Sequence, residues 1–310
     1  MSVSQVKEIK YAIKSVICFS ISDSQLWPLC AFIFIIPFNL RFMRMTIIGC
    51  GSIGTKLAKA ADEMAEVKRI YLIDIERPLA ENLASELNKA IVVDDVEEEL
   101  YHCDLVVEAA SQDAARDAIL KASSRGVDIM VMSVGALVDD GFRENVFAKA
   151  RQTGAKIFIP SGAIAGVDGL RAASTAELEE VELVTKKGPK SLAGIKYCEE
   201  KGIDVYSFKE PTVIFSGAAR EAVSNFPKNI NVAATVSLLG LGFDNTKVTI
   251  ILDPEAKSNS HELRIKGAFG EMNCHTYNVP SPDNPKTSML ASLSAISALK
   301  RIIRNEWAGI

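Results

Sequence analysis

The sequence lacks the clusters of cysteine and histidine that build metal centres and disulfide frameworks. Its 310 residues include six cysteines and three histidines, and no two cysteines have CxxC spacing. Only Cys103 and Cys274 have a neighbouring histidine, and neither pairing has the spacing of a metal site. We therefore predict no metal ion and reduced thiols in a reducing compartment, the cytoplasm. The cysteines are Cys18, Cys30, Cys50, Cys103, Cys198 and Cys274.

An excess of positive charge is also absent. The net charge is −4 at pH 7, which offers no basic surface for nucleic acid. No internal repeat or low-complexity tract is visible. With 48% hydrophobic and 24% charged residues, the composition is that of an ordinary globular enzyme. The length suggests two domains, each able to bury its own core.

The chain has no apolar run of the length that a membrane span needs. Residues 26–40 form an apolar stretch interrupted by Pro28 and Pro37, and it falls short of the roughly 20 residues of a spanning helix. A basic flank precedes it, but no small-residue cleavage site of a signal peptide is evident. We predict that residues 1–43 are an N-terminal extension outside the native fold, and whether they are translated stays open. The alternative is a membrane-surface anchor.

A GxGxxG motif follows an apolar strand that begins near Met45 and precedes a helical pattern. The first glycine permits a tight turn, the second lets the backbone approach a pyrophosphate, and the third lets helix pack against strand. The helix then presents free N–H groups to the phosphates. A second strand ends in a carboxylate 20 residues after the motif, where an acid binds ribose hydroxyls. The predicted cofactor-binding residues of this unit are Gly49, Gly51, Ser52, Ile53, Gly54 and Asp74.

The sequence contains residues that favour NAD and residues that favour NADP. Asp74 repels a 2′-phosphate and favours NAD. However, Glu76 and Arg77 follow directly, and an arginine at this place can pair with a 2′-phosphate. We predict NAD as the cofactor and leave use of NADP open.

Strand and helix signals alternate as far as residue 168, which predicts an α/β fold with a Rossmann-type, doubly wound parallel sheet. We assign residues 44–168 to this dinucleotide-binding domain. In such sheets ligands bind at the carboxyl ends of the strands. The small residues Ala109, Ala110 and Ser111 follow one strand there, and we predict that they contact the cofactor, with tight packing alone as the alternative.

The pattern changes after Gly169. Five segments read as strands, several of them alternating apolar with polar residues, which is typical of an antiparallel sheet with one wet face. We predict a second α+β domain at 169–283, built on a mostly antiparallel sheet, with a linker rich in Lys and Gly at 185–197. A long helix starting at Lys286, within a segment 284–310, is predicted to pack back on the core.

Five segments, in order, resemble the L-aspartate dehydrogenase family: residues 49–54 (GCGSIG), 108–112 (EAASQ), 161–168 (SGAIAGVD), 226–235 (FPKNINVAAT) and 284–288 (NPKTS). The resemblance covers the chain from about Met45 to its end and leaves residues 1–43 without a counterpart. It implies oxidation of L-aspartate with NAD(P) to iminoaspartate, which hydrolyses to oxaloacetate and ammonia. It further implies a role in NAD biosynthesis through quinolinate, with handover of iminoaspartate to quinolinate synthase.

The resemblance also assigns residue roles. It implies that His261 is the active-site histidine and that Ala173 and Asn259 contact the cofactor. On the residues alone, His261 shares a strand face with Leu263 and Ile265, where a hydrogen-bonded core histidine is the more frequent structure. That face is expected to cover the cofactor cleft, and imidazole can pass a proton in either direction near neutral pH.

A dicarboxylate substrate needs cations or N–H donors. The predicted substrate-binding residues are Lys228, Asn229, Lys286, Thr287 and Ser288. Pro285 in the first turn of the last helix would leave free N–H groups behind it as an anion site. The alternative is a helix cap with a solvated lysine. Mostly antiparallel sheets like the one predicted for the second domain commonly mediate dimers, so we expect a homodimer.

Two rival functions stay open at this stage. One is another oxidoreductase on the same scaffold, similar to dihydrodipicolinate reductase or to sugar dehydrogenases, although the latter carry Glu-Lys-Pro where Ser133-Val-Gly-Ala136 stands here. The other is a non-catalytic dinucleotide sensor, which would tolerate loss of His261 and of the anion-binding residues.

Overall fold

The computed structural model describes residues 42–226 and 231–306, apart from the side chains at 285 and 286. These residues belong to one compact unit that begins at Phe42. The first strand starts at Met43, one residue before the predicted domain boundary. The predictions for the N-terminal extension otherwise lie outside the described residues. Across the described ranges, no helix is both long and apolar enough to cross a membrane.

The first sheet has six parallel strands in the order β3-β2-β1-β4-β5-β6. This order, reversing beside β1, is that of a dinucleotide-binding doubly wound fold and confirms the predicted class. The central strands are apolar because helices cover both faces of the sheet. The strands are β1 (Met43–Ile48), β2 (Val67–Ile73), β3 (Ala90–Val92), β4 (Leu105–Glu108), β5 (Asp128–Val131) and β6 (Ile157–Phe158).

The helices of this half begin and end at residues suited to their termini. In the helix Gln112–Arg125, the Ser111 hydroxyl accepts a hydrogen bond from the backbone N–H of Ala114, and Gly126 closes the helix at φ +75°. The helices are α1 (Ser52–Asp62), α2 (Arg77–Ser85), α3 (Val96–Glu99), α4 (Gln112–Arg125) and α5 (Asp140–Thr153), with a 3-10 turn at Val134–Val138.

The second sheet has five strands in the order β11-β10-β7-β9-β8. β7 and β9 are parallel, and the other neighbouring pairs are antiparallel, so the predicted mostly antiparallel sheet is confirmed. Its strands are β7 (Leu178–Lys187), β8 (Thr212–Ala218), β9 (Lys247–Leu252), β10 (Ser260–Gly267) and β11 (Gly270–Tyr277).

Short helices cover one face of the second sheet: α6 (Val167–Ala173), α7 (Pro189–Leu192), α8 (Lys196–Glu200), α9 (Ala219–Asn225), α10 (Asn231–Leu239) and α11 (Gly242–Asn245). The predicted linker at 185–197 is therefore wrong. Its first residues complete β7, because they pair with β9 up to Leu252, and the rest form α7 and the start of α8.

The last helix, α12 (Met289–Arg304), starts later than predicted. The predicted start at Lys286 is wrong because the preceding residues form β13 (Asn284–Ser288), which pairs with β12 (Pro280–Ser281) as a small hairpin. α12 then packs against α1 and adds Ala295 and Leu299 to the core of the first half. The end of the chain thus returns to the dinucleotide-binding half, and the hairpin before it lies beside the second sheet's strand ends.

Candidate active site

The turn between β1 and α1 has the shape of a pyrophosphate cradle. A Cβ on Gly49, which has φ +95°, would lie 2.6 Å from the Ala109 carbonyl oxygen, and one on Gly54 would lie 1.8 Å from the Gly49 oxygen. A Cβ on Gly51 would meet nothing within 4 Å. The Ser52 hydroxyl oxygen is buried at the start of α1 and finds no hydrogen-bond partner among the described residues. Open space, a buried hydroxyl and a helix N-terminus together fit a dinucleotide's phosphates.

The carboxylate of Asp74 lies beside this turn. One oxygen accepts from the Cys50 backbone N–H at 2.6 Å, and the other accepts from the Glu76 N–H at 2.9 Å. Arg77, the predicted alternative for a 2′-phosphate, is engaged elsewhere: its guanidinium contacts Glu81 at 2.8 Å and also Asp94.

A buried glutamate connects the next two strand ends. Glu108 is fully buried at the end of β4, and its carboxylate accepts from the Ala110 N–H, the Ser133 N–H and the Ser133 hydroxyl at 2.8–2.9 Å. Burial raises the pKa of this carboxyl, and the hydrogen bonds oppose the rise. Glu108 therefore fixes the loops after β4 and β5. Ser111 is exposed and caps α4.

The strand ends of the first sheet face the second sheet across one cavity of about 280 Å³. It is here called the central cavity. Its lining includes Ile53, Ala109, Ala110, Met132 and Ser133 from the first half, and Lys187, Asn231, Thr235, Asn259, His261, Thr287 and Ser288 from the second half and the β12–β13 hairpin. The predicted residues Ile53, Ala109, Ala110, Asn259, His261, Thr287 and Ser288 are thus brought together.

His261 is buried in β10 and lines the central cavity. Its Nδ1 lies 3.0 Å from the Thr185 hydroxyl, its cross-strand neighbour on β7. Burial, and then the nearby ammonium of Lys187, lower the pKa of His261 to about 3. The imidazole is therefore neutral at physiological pH and can accept a proton. Leu263 and Ile265 continue the same face into the core, as predicted.

Other predicted residues lie elsewhere. Ala173 is buried at the end of α6 and is not among the residues that line the central cavity. Lys228 and Asn229 fall outside the described residues, as does the Lys286 side chain. The predicted anion site in a first helical turn at Pro285 is wrong, because these residues are extended in β13. The N-terminus of α12 instead borders the cavity through Ser288 and Ala291.

Several polar residues of the cavity were not among the predicted site residues, and Lys187 and Asn231 are two of them. Lys187 is 3% exposed at the end of β7, and extending that strand's alternation from Thr185 would have placed it beside His261. Asn231 begins α10, and its side-chain oxygen accepts from the Gly135 N–H at 3.3 Å. This contact ties α10 to the 3-10 turn after β5. Only its position at the start of a helix could have indicated it.

The fold and this cavity define a two-domain dehydrogenase that uses a nicotinamide dinucleotide. Residues 49–160 match the homoserine dehydrogenase NAD-binding domain, and residues 168–302 match the aspartate dehydrogenase C-terminal domain. Over 263 residues the chain is 44% identical to L-aspartate dehydrogenase of Methanosarcina barkeri, covering 84% of this chain and 97% of that one. It is 45% identical over 262 residues to that of Methanococcoides burtonii, with the same coverage.

A solved structure agrees with these relatives. The crystal structure of aspartate dehydrogenase from Thermotoga maritima is similar with a TM-score of 0.67 and 31% identity, covering 86% of this chain and 98% of that one. The chain belongs to the L-aspartate dehydrogenase family. It is an NAD(P)-dependent oxidoreductase.

Proposed function

We propose that this protein oxidises L-aspartate to iminoaspartate, which water hydrolyses to oxaloacetate and ammonia. One observation carries the proposal: a buried, neutral His261 lines the same cavity as the cofactor-side residues Ile53, Ala109 and Ala110. The names of the similar proteins support L-aspartate as the substrate. The expected NAD-biosynthetic role, with iminoaspartate passing to quinolinate synthase, and the homodimer belong to the same proposal.

The cofactor is held by the cradle at the first strand end. Gly51 leaves room for the pyrophosphate, and the Ser52 hydroxyl and the α1 N-terminus donate to it. Asp74 accepts from the ribose hydroxyls, and Arg77 is occupied by carboxylates, so we infer NAD in preference to NADP. A bound nicotinamide would supply the hydride acceptor for the substrate α-carbon. A substrate in the central cavity would have that carbon between the first sheet and β10.

His261 is the base that accepts the proton of the substrate ammonium group. In the tautomer whose Nδ1–H donates to the Thr185 hydroxyl 3.0 Å away, the Nε2 lone pair is the base. The substrate amine must be neutral before its α-hydrogen can leave as hydride, and Nε2 accepts the ammonium proton. The two substrate carboxylates favour imidazolium and so raise the basicity of His261 once the substrate is bound. After that proton passes to solvent, the same nitrogen can accept a proton from the water that attacks the imine.

The test is NAD(P)H formation by the full-length chain with L-aspartate, L-glutamate, L-alanine and L-malate. We expect the highest kcat/KM with L-aspartate. His261→Asn is expected to lower kcat on the order of 10²-fold, the typical effect of losing a positioned acid–base, with NADH affinity and Tm little changed.

The matched control is His275→Asn on the neighbouring strand β11. That side chain is half exposed and lies 3.6 Å from Glu262 rather than in the central cavity, so its loss should leave turnover intact. Normal turnover in a folded His261→Asn protein would remove the catalytic role. Absence of L-aspartate oxidation by the wild type would remove the proposed substrate.

A further inference from the structure

We propose that Lys56 is a positioning residue, which holds the β12–β13 hairpin against the cofactor helix α1 and thereby keeps Thr287 and Ser288 in the central cavity. The proposal rests on the proposed function for the identity of the substrate. It adds a residue of the dinucleotide-binding half that affects substrate binding without touching the substrate.

Lys56 joins α1 to the hairpin through two oxygen atoms. Its ammonium donates to the Ser281 hydroxyl at 2.5 Å and lies 2.9 Å from a carboxylate oxygen of Asp283. Ser281 is fully buried, and the Lys56 side chain is only 25% exposed. Hydrogen bonds with an ionised donor are shorter and stronger than neutral ones. Because Lys56 and Ser281 lie 225 residues apart in the chain, this contact connects two distant segments of the fold.

The hairpin depends on contacts of this kind because it is small. Its two strands pair at two positions, and a two-stranded hairpin is at best marginally stable by itself. At its open end, the backbone N–H of Met289 donates to the Val279 carbonyl at 2.8 Å. Lys56 holds the opposite end, where the chain turns between β12 and β13.

The hairpin contributes to the wall of the proposed substrate site. Thr287 and Ser288 in β13 line the central cavity and also an outer cavity of about 1120 Å³, so this part of β13 lies between the two. On α1, Ser52 and Lys56 are four residues apart and therefore lie on the same face of the helix. One rigid element thus carries both the phosphate cradle and the contact to the hairpin. A hairpin released from α1 would change the wall against which the substrate binds.

The experiment titrates succinate, a four-carbon dicarboxylate without an amine, into the full-length enzyme–NADH complex and follows NADH fluorescence. The KM and kcat for L-aspartate are measured on the same proteins. Lys56→Met removes the ammonium at similar volume, and Asp283→Asn is a second variant at a largely exposed position. The matched control is Lys59→Met, because Lys59 lies one turn further along α1 and pairs with Glu86 at 2.7 Å.

We expect Lys56→Met to weaken succinate binding and to raise the KM for L-aspartate by about tenfold, as for loss of a hydrogen bond to a charged group. kcat and NADH affinity should change by less than about twofold, because the lost contact serves binding and leaves the reacting groups in place. Asp283→Asn should have a smaller effect, since Ser281 still accepts from Lys56. The double variant should behave like Lys56→Met alone, because Asp283 then has no ammonium to hold. Lys59→Met should match the wild type.

Succinate affinity and a KM equal to those of Lys59→Met would overturn the proposal, whatever the change in Tm. Equal losses of NADH and succinate affinity would also overturn it, because they would indicate a distortion of α1. So would additive effects of Lys56→Met and Asp283→Asn, which would mean that Lys56 acts elsewhere. A wild type that binds neither succinate nor L-aspartate would overturn it as well, because the hairpin would then serve no dicarboxylate site.

Failure of the proposed function is distinguishable from failure of this proposal. If the wild type binds succinate in a manner that depends on Lys56 but does not oxidise L-aspartate, the substrate assignment is wrong and the positioning role stands. If the wild type oxidises L-aspartate with a KM that does not depend on Lys56, only the role of Lys56 falls.

Discussion

Acidification from pH 7 to pH 5 should destabilise this protein through His261. The pKa of this imidazole is lowered to about 3 in the folded state, against about 6.5 when unfolded. The unfolded chain therefore binds the proton more readily than the folded one. The contribution of His261 to the free energy of unfolding is fully present above pH 6.5 and is lost as the pH falls toward 3. Each pH unit in that window changes the free energy of unfolding by about 1.4 kcal/mol. Between pH 7 and pH 5 the loss sums to about 2 kcal/mol.

The assay is urea unfolding of the wild type and of His261→Asn at both pH values. Asparagine does not titrate, so the variant should lose about 2 kcal/mol less than the wild type over this interval. Other groups contribute too, and the raised pKa of Glu108 acts in the opposite direction. These contributions are common to both proteins and cancel in the difference. Parallel pH dependences for His261→Asn and the wild type would refute the reasoning.

The other predictions concern the first sheet. Gly51→Val should weaken NADH binding by about 100-fold or more, because the side chain would fill the pyrophosphate's space, yet leave Tm unchanged since the position is open. Gly54→Ala should instead lower stability by about 1–3 kcal/mol, because its Cβ would lie 1.8 Å from a backbone oxygen; equal effects of the two variants on Tm would contradict this distinction. Asp74→Ser should shift the NAD/NADP ratio of kcat/KM toward NADP by about tenfold, since it removes the charge that repels a 2′-phosphate, and an unchanged ratio would contradict its role. A chain starting at Met43 should keep the wild-type Tm, whereas one starting at Met45 should melt several degrees lower, because it loses two residues of β1 that pair with β2; equal Tm values would contradict this.

The first half of the fold could be predicted because its signals are local. The glycine motif joins a strand to a helix within ten residues, and the helix α4 carries its own start and stop at Ser111 and Gly126. Propensity, capping and turn chemistry agree along this half, which is the condition under which a sequence specifies its structure.

Two errors in the second half have one physical cause. Residues 185–187 looked like the start of a linker because the segment 185–197 is rich in Lys and Gly, and Pro285 looked like part of the first turn of a helix. Both segments are extended because another strand pairs with them: the distant β9 with the end of β7, and the preceding strand β12 with β13 in a hairpin. Such pairing overrides local composition, and in β7 nothing within a window of ten residues reports it.

The same reasoning explains why the site was only partly predictable. His261 could be placed on a face from alternation alone, but its partner Thr185 lies 76 residues away. The register that joins them also places Lys187 in the cavity, and a shift of one residue would turn the lysine toward the opposite face. The chemistry of the cavity thus depends on a pairing between β7 and β10 that composition cannot show. A basic residue at the end of an apolar strand face, two positions after the cross-strand partner of a histidine, is the pattern that would reveal this cavity in related sequences.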